Sequence, residues 1–306
     1  MEDNNILEVK KIRKEYKNQV VLDNVNFSIR KGEIIGLVGP NGAGKTTIMS
    51  IIVGLINNYE GNVLIDGQDI KMNKKVYKKQ VGCVIEAPGL YPNLTGYENL
   101  MYFSEVFGGI SKEEVDEIVK LLGLKDYVHK KTKKYSLGMK QRLGIAQAVL
   151  GYPKLLILDE PTNGLDPNVI PHIRQFIKYV TEEKNISVLI SSHILTEIEA
   201  ICDRVLFIKN GKIIEEVNMH ESIDANNEAF IFETDKTGEL VEFFSSKSID
   251  AVIIDERKVH VKITDKQAES FLPQLIQVGI VVKGMYKQKV SLEEKFIKSM
   301  GENVIE

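Results

Sequence analysis

Apolar and polar residues alternate over most of Ile6 to Lys10 and Val20 to Ile29, with a turn-like Lys17-Asn-Gln between the runs and Arg30-Lys31-Gly32 closing the second. This pattern predicts an antiparallel β opening. Glu33 to Val38 is a short apolar run ending in a glycine-rich loop, and Lys45 to Leu55 continues as a predicted helix. From Ser111 the pattern turns helical: Val115, Ile118, Val119 and Leu122 share one face, and Ser111-Lys-Glu-Glu114 has the form of a capping box. Arg142 to Leu150 predicts another helix, Leu155 to Leu158 a buried strand and Val188 to Ser191 a second strand. Strands alternating with helices imply an α/β fold with a largely parallel sheet.

The composition shifts after Val217, where Asn218-Met-His-Glu-Ser leads into Asp224-Ala-Asn-Asn-Glu228. A domain boundary is expected there. Beyond it, Ala229 to Phe232 reads as strand, Lys236 to Phe244 as helix, Ala251 to Ile254 and Val259 to Ile263 as a hairpin, Lys266 to Val278 as helix and Ile280 to Tyr286 as strand. That β-α-β-β-α-β order is the ferredoxin-like plan. Ser291-Leu-Glu-Glu294 predicts a cap for a last helix whose apolar stripe is Leu292, Phe296, Ile297 and Met300.

At 306 residues and 43% hydrophobic composition, the chain has material for one large domain and a small second one. Forty Lys and Arg against 43 Asp and Glu give a formal charge of -3, which argues against nucleic acid as a partner. The longest apolar runs fall well short of the roughly 20 residues that cross a bilayer. The opening Met-Glu-Asp-Asn-Asn lacks the features of a secretory signal, so a cytosolic chain is expected. Cys83 and Cys202 do not form a disulfide or zinc pattern and read as small buried hydrophobes. The basic runs Lys71 to Lys79 and Lys130 to Lys134 read as solvated faces.

The glycine-rich loop is Gly39-Pro40-Asn41-Gly42-Ala43-Gly44-Lys45-Thr46, followed by Thr47. Between a strand and a helix, this spacing lets backbone N–H groups surround phosphates at a helix N-terminus, with Lys45 neutralising β/γ oxygens and the Thr46 hydroxyl ligating Mg2+. It is a candidate ATP site. Asp159 follows four apolar residues, which places it at the tip of a buried strand, where it can hold Mg2+ through water. Glu160 points to another side and is the candidate to polarise an attacking water, a role worth about 10² to 10⁴-fold in rate.

Together with Ser136-Leu137-Gly138-Met139, Asn163-Gly-Leu-Asp166 and Ser191-Ser-His193, these motifs resemble the ATP-binding cassette (ABC) ATPases. The resemblance implies a P-loop ABC nucleotide-binding domain over residues 1–219, with a RecA-like core, an antiparallel β subdomain and a helical insert over about 87–150. An accessory ferredoxin-like domain over 220–306 would follow. It also implies that Tyr16 stacks on adenine, that His193 is the switch histidine, and that Asp166 ends the loop after the catalytic Glu160. Two copies would pair head to tail, so that Ser136 and the Gly138 N–H reach the γ-phosphate held by the partner copy. Leu137 and Met139 depart from the usual signature but leave the Ser and the second Gly in place.

Pro88-Gly-Leu-Tyr-Pro-Asn-Leu-Thr-Gly-Tyr-Glu-Asn99, Ser136 to Gly144 and Ser192-His-Ile-Leu-Thr-Glu-Ile198 narrow the resemblance to bacitracin-type antibiotic-export ATPases, relatives of lantibiotic-immunity ATPases. This covers about residues 5 to 220, and the tail more weakly. It implies an ATPase at the cytoplasmic face of the membrane, paired with a second copy and an integral membrane permease, driving efflux of a peptide antibiotic. Export of another drug or lipid is the alternative. A soluble ABC ATPase of translation or repair is disfavoured, because the chain has neither two cassettes nor zinc cysteines. Where the wider pattern carries Gln, Val84-Ile85-Glu86-Ala87 places Glu86, expected to ligate Mg2+ and to couple nucleotide occupancy to the permease.

Overall fold

The computed structural model describes residues 4–72, 79–219, 229–287 and 292–300. Its elements begin with β1 (Asn5–Tyr16), β2 (Gln19–Arg30), β3 (Ile34–Val38), α1 (Lys45–Ile52), β4 (Glu60–Ile65), β5 (Gln68–Asp69) and β6 (Val81–Val84). Next come α2 (Gly96–Phe107), α3 (Lys112–Leu121), α4 (Leu137–Ala148), β7 (Leu155–Leu158), α5 (Ile170–Lys184), β8 (Ser187–Ser192), α6 (Leu195–Glu199), β9 (Arg204–Lys209) and β10 (Lys212–Asn218). The remainder is β11 (Ala229–Glu233), α7 (Thr237–Ser245), β12 (Ala251–Ile253), β13 (Lys258–Lys262), α8 (Asp265–Gln277), β14 (Gly284–Lys287) and α9 (Leu292–Met300).

The chain divides into two compact units, Met1–Met219 with Phe296–Glu306, and His220–Lys295. The described residues from Phe296 on thus group with the first unit, whereas the sequence places the whole tail in the second. Phe296 sets its ring 5.4 Å from that of Phe207 in β9, an apolar contact that sequence spacing does not announce.

In the first unit, β1 and β2 form a long hairpin whose turn residues Lys17 and Asn18 both take positive φ, the twist that a two-residue turn needs. The hairpin belongs to an antiparallel sheet ordered β2-β1-β4-β5. A six-stranded sheet, β10-β9-β3-β8-β7-β6, is parallel except for its β9–β10 hairpin. One core joins both sheets through α1: Leu7, Leu22 and Ile29 from the first, Leu37, Ile157 and Leu206 from the second, and Ile48, Met49 and Ile52 between them. That shared burial fixes the start of α1, and with it the glycine loop, at the carboxyl end of β3 inside the parallel sheet.

Within the expected insert, a helix precedes the one signalled at Ser111. Thr95 accepts from the Glu98 N–H while its own N–H donates to Glu98 Oε2 at 2.7 Å, a full capping box that opens α2. Ser111 caps α3, but Glu114 does not return the bond; its Oε1 accepts from Gly151 N–H at 2.9 Å instead. α1 stops at Ile52, short of Leu55, and α4 begins at Leu137 with Ser136 as its N-cap, earlier than Arg142. Cys202 is buried as expected, whereas Cys83 on the edge strand β6 is exposed.

The second unit carries a four-stranded antiparallel sheet ordered β12-β13-β11-β14. Phe230, Phe232, Val259 and Val261 from the sheet bury against Leu240 and Phe244 of α7 and Leu275 of α8. This is the ferredoxin-like arrangement. Ser291, the cap expected for the last helix, and positions 73–78 of the first basic run lie outside the described residues.

Candidate functional site

The site assembles at the carboxyl ends of neighbouring parallel strands, where an open α/β sheet leaves a crevice. β3 leads into the glycine loop, β8 into Ser191-Ser192-His193, β7 into Asp159-Glu160 and β6 into Glu86. At Gly39, a Cβ would run into the Ile208 carbonyl oxygen, and Gly44 takes φ +110 against the Leu22 side chain. Both positions need glycine, and they bring the backbone close around the space before α1. α1 has no side-chain cap, so its first N–H groups are free to face an anion.

Lys45 is buried, with its ammonium donating to the carbonyls of Gly39 at 2.7 Å and Pro40 at 3.3 Å. It stands 3.6 Å from Glu160 Oε1. The Thr46 hydroxyl donates to Asp159 Oδ2 at 2.7 Å, and the Ser191 hydroxyl donates to Asp159 Oδ1 at 2.6 Å while accepting the Glu160 N–H at 2.8 Å. Glu160 takes φ +44, a conformation that costs a non-glycine residue. Its Oε2 lies 3.1 Å from His193 Nδ1 and accepts from Asn163 Nδ2 at 3.2 Å. This contact with His193 is a hydrogen bond from the ring to the carboxylate in the tautomer that carries a proton on Nδ1.

Lys45, Thr46, Asp159, Glu160 and His193 are thereby one connected polar chain, as hard-oxygen and cationic groups around a phosphate site should be. Thr46 and Asp159 offer the oxygen donors that suit a small divalent cation. Ser191 and Asn163 complete the chain; neither is given a role by the sequence alone, and the signal for Ser191 is a hydroxyl closing an otherwise apolar run.

The other sequence-derived residues sit outside this chain of bonds. Ser136 accepts the Met139 N–H at 3.3 Å as the N-cap of α4, and Leu137 is exposed. A Cβ at Gly164 would meet Leu137 at 3.1 Å, and one at Gly138 would meet Leu165 at 3.3 Å, so the start of α4 rests on the loop after Glu160. Asp166 Oδ1 accepts from Asn168 N–H and Nδ2 at 2.9 Å. Tyr16 ends β1, half exposed, with the Lys14 ammonium 4.3 Å from its ring centroid. Glu86 is exposed and takes φ +60.

A glycine loop feeding a buried Lys, a Thr–Asp oxygen pair and a strand-end Glu defines a P-loop nucleotide-hydrolysing cassette. Residues 22–163 match the ABC transporter family. The chain is 38% identical to the bacitracin transport ATP-binding protein BcrA of Bacillus licheniformis, over 98% of this chain and 99% of that one. It is 42% identical to the lantibiotic transport ATP-binding protein SrtF of Streptococcus pyogenes, over 69% of this chain and 90% of that one. Among solved structures, a dimeric ATP-binding cassette in a post-hydrolysis state with ADP and Pi is similar, with a TM-score of 0.65 and 28% identity over 70% of this chain and 98% of that one. The chain belongs to the ABC transporter family, as an ATP-binding subunit with ATPase activity. Among the described residues no helix is long and apolar enough to cross a membrane.

Proposed function

We propose that this subunit powers an exporter, coupling ATP hydrolysis to efflux of a bacitracin- or lantibiotic-like peptide through a separate integral membrane permease. Similarity to a bacitracin transport subunit along nearly the whole of both chains carries that choice of cargo. The subunit works at the cytoplasmic face of the membrane, held there by the permease. Residues 1–219 form the nucleotide-binding domain, and an accessory domain follows from residue 220.

In this reading Glu160 accepts a proton from the water that attacks the γ-phosphorus as the bond to ADP breaks. His193 fixes the direction of that carboxylate through Nδ1, and Lys45 balances phosphate charge. Mg2+, when bound, screens the developing phosphate charge; Thr46 and Asp159, with Glu86 from the next strand, are the residues to hold it. Tyr16 stacks on the adenine, and Gly39 to Thr47 surround the phosphates. Two copies pair head to tail, with Ser136, Leu137, Gly138 and Met139 of one completing the site of the other and Asp166 at their junction. The N-terminal turn of α4 suits a phosphate oxygen.

The test is co-expression with the permease that co-purifies from membranes, reading resistance to bacitracin and to a lantibiotic. Resistance is expected with the wild-type chain and lost with Glu160→Gln; no protection against either peptide contradicts the cargo. Glu86→Gln is expected to lower resistance more than basal ATPase, and unchanged values of both contradict its coupling role.

A further inference from the structure

Glu197, in α6, is 5% exposed, and its Oε2 accepts the hydroxyl proton of Thr162, which is itself buried. Among the described residues, no cation pairs with this carboxylate. A buried carboxyl held by one side-chain hydroxyl costs stability that an apolar residue would not, so its place in the fold calls for another explanation.

The pair joins two segments that the catalytic site already uses. Thr162 follows Glu160-Pro161, and Glu197 lies four residues beyond His193. Each end is anchored locally. Asn163 N–H donates to the Glu160 carbonyl at 3.1 Å and Leu165 N–H to the Thr162 carbonyl at 3.1 Å. On the other side, Glu197 N–H donates to the Ile194 carbonyl at 3.2 Å, and Ile194 N–H to Ser192 Oγ at 2.9 Å. Among the described residues, the Ser191 hydroxyl joins these segments at their base through Asp159 and the Glu160 N–H, and beyond it lie two further side-chain ties, Thr162 to Glu197 in the interior and His193 to Glu160 at the exposed rim.

We propose that Glu197 is a positioning residue for ATP hydrolysis: through Thr162 it holds the segment bearing Glu160 against the segment bearing His193. The inner tie limits how far the two can part, and the outer contact, with His193 half exposed, depends on that limit. This inference rests on Glu160 being the carboxylate that activates water.

The experiment compares ATPase kinetics of Thr162→Val, Thr162→Ser, Glu197→Ala, Glu197→Gln and Thr162→Val/Glu197→Ala, each normalised to bound nucleotide, with Glu160→Gln as reference. Loss of the tie is expected to lower kcat about tenfold, the scale of one hydrogen bond to a charged group, with KM for ATP within about twofold. Thr162→Ser and Glu197→Gln keep a donor and an acceptor and should recover most of kcat. The double variant should be no slower than either single one. Wild-type kcat in Thr162→Val and Glu197→Ala, or losses that multiply in the double variant, would overturn the proposal. If Glu197→Ala does not fold, the contrast between Thr162→Val and Thr162→Ser decides alone. Retained hydrolysis in Glu160→Gln would instead remove the premise, a failure distinct from that of the tie.

Discussion

The Thr46 hydroxyl and Asp159 Oδ2 lie 2.7 Å apart across 113 positions of sequence. That bond joins the first turn of α1 to the end of β7, and Ser191 secures the other oxygen of the same carboxylate from β8. Three elements thus agree on where one buried negative charge stands.

Asp159→Asn should keep the shape of this junction while removing the charge. The Mg2+ concentration giving half-maximal ATPase is expected to rise about 10 to 100-fold, the usual cost of losing an outer-sphere metal partner. Nucleotide binding in EDTA should stay within about twofold of wild type. A magnesium titration of both proteins checks this, and an unchanged midpoint would count against Asp159 as a metal partner.

Gly39→Ala tests the close approach of the glycine loop to β9. The added methyl meets backbone rather than a flexible side chain, so the clash has no easy relief. A loss of about 1 to 3 kcal/mol in urea unfolding is expected, with weaker ATP binding. Gly89→Ala is the control: it has open space around it and no positive φ, and should stay within about 0.5 kcal/mol.

Glu117 of α3 accepts the hydroxyls of Tyr152 and Tyr179, each at 2.9 Å, and lies 3.3 Å from the Lys184 ammonium. The Tyr152 hydroxyl first, then that of Tyr179, hold the carboxyl below its ordinary value of 4.5. Burial, followed by this carboxylate, pushes the Tyr152 phenol up to about 12. Because the folded carboxyl is the stronger acid, its stabilisation is complete above the unfolded value and fades as pH falls through the folded one. The melting-temperature advantage of wild type over Glu117→Gln should be steady near about pH 7 and shrink below about pH 4.5. Melting curves across that range check the sign, and an advantage that grows toward acid would contradict it.

Much of this site was legible because its chemistry is local. Gly39 to Thr46 is one contiguous run between a strand and a helix, and Asp159-Glu160 sits at the end of four apolar residues. Partnerships were harder to read. Ser191 links Asp159 to the Glu160 N–H, and Glu197 reaches Thr162 across 35 positions; neither bond has a period or a spacing rule. Glu114 shows the same limit from the other side, since its capping pattern is present yet Gly151 takes its carboxylate. α2 carries its signal in its ends instead of its apolar period: Thr95 and Glu98 stand at capping-box spacing and Gly108 closes the helix in a left-handed conformation. In the second unit, period-two runs and short loops sufficed for the β-α-β-β-α-β order, whereas the sheet order, in which β11 lies between β13 and β14, comes from long-range pairing that no local pattern carries.

The central claim is that Glu160 activates water in a site completed by a second copy. It is tested most directly by sizing Glu160→Gln in Mg·ATP. Hydrolysis should fall by at least about 10²-fold, leaving ATP trapped and the protein eluting as a stable pair, while the nucleotide-free protein elutes as a single copy. A single copy that still binds ATP at saturation would contradict the shared site, and wild-type turnover in the variant would contradict the role of Glu160.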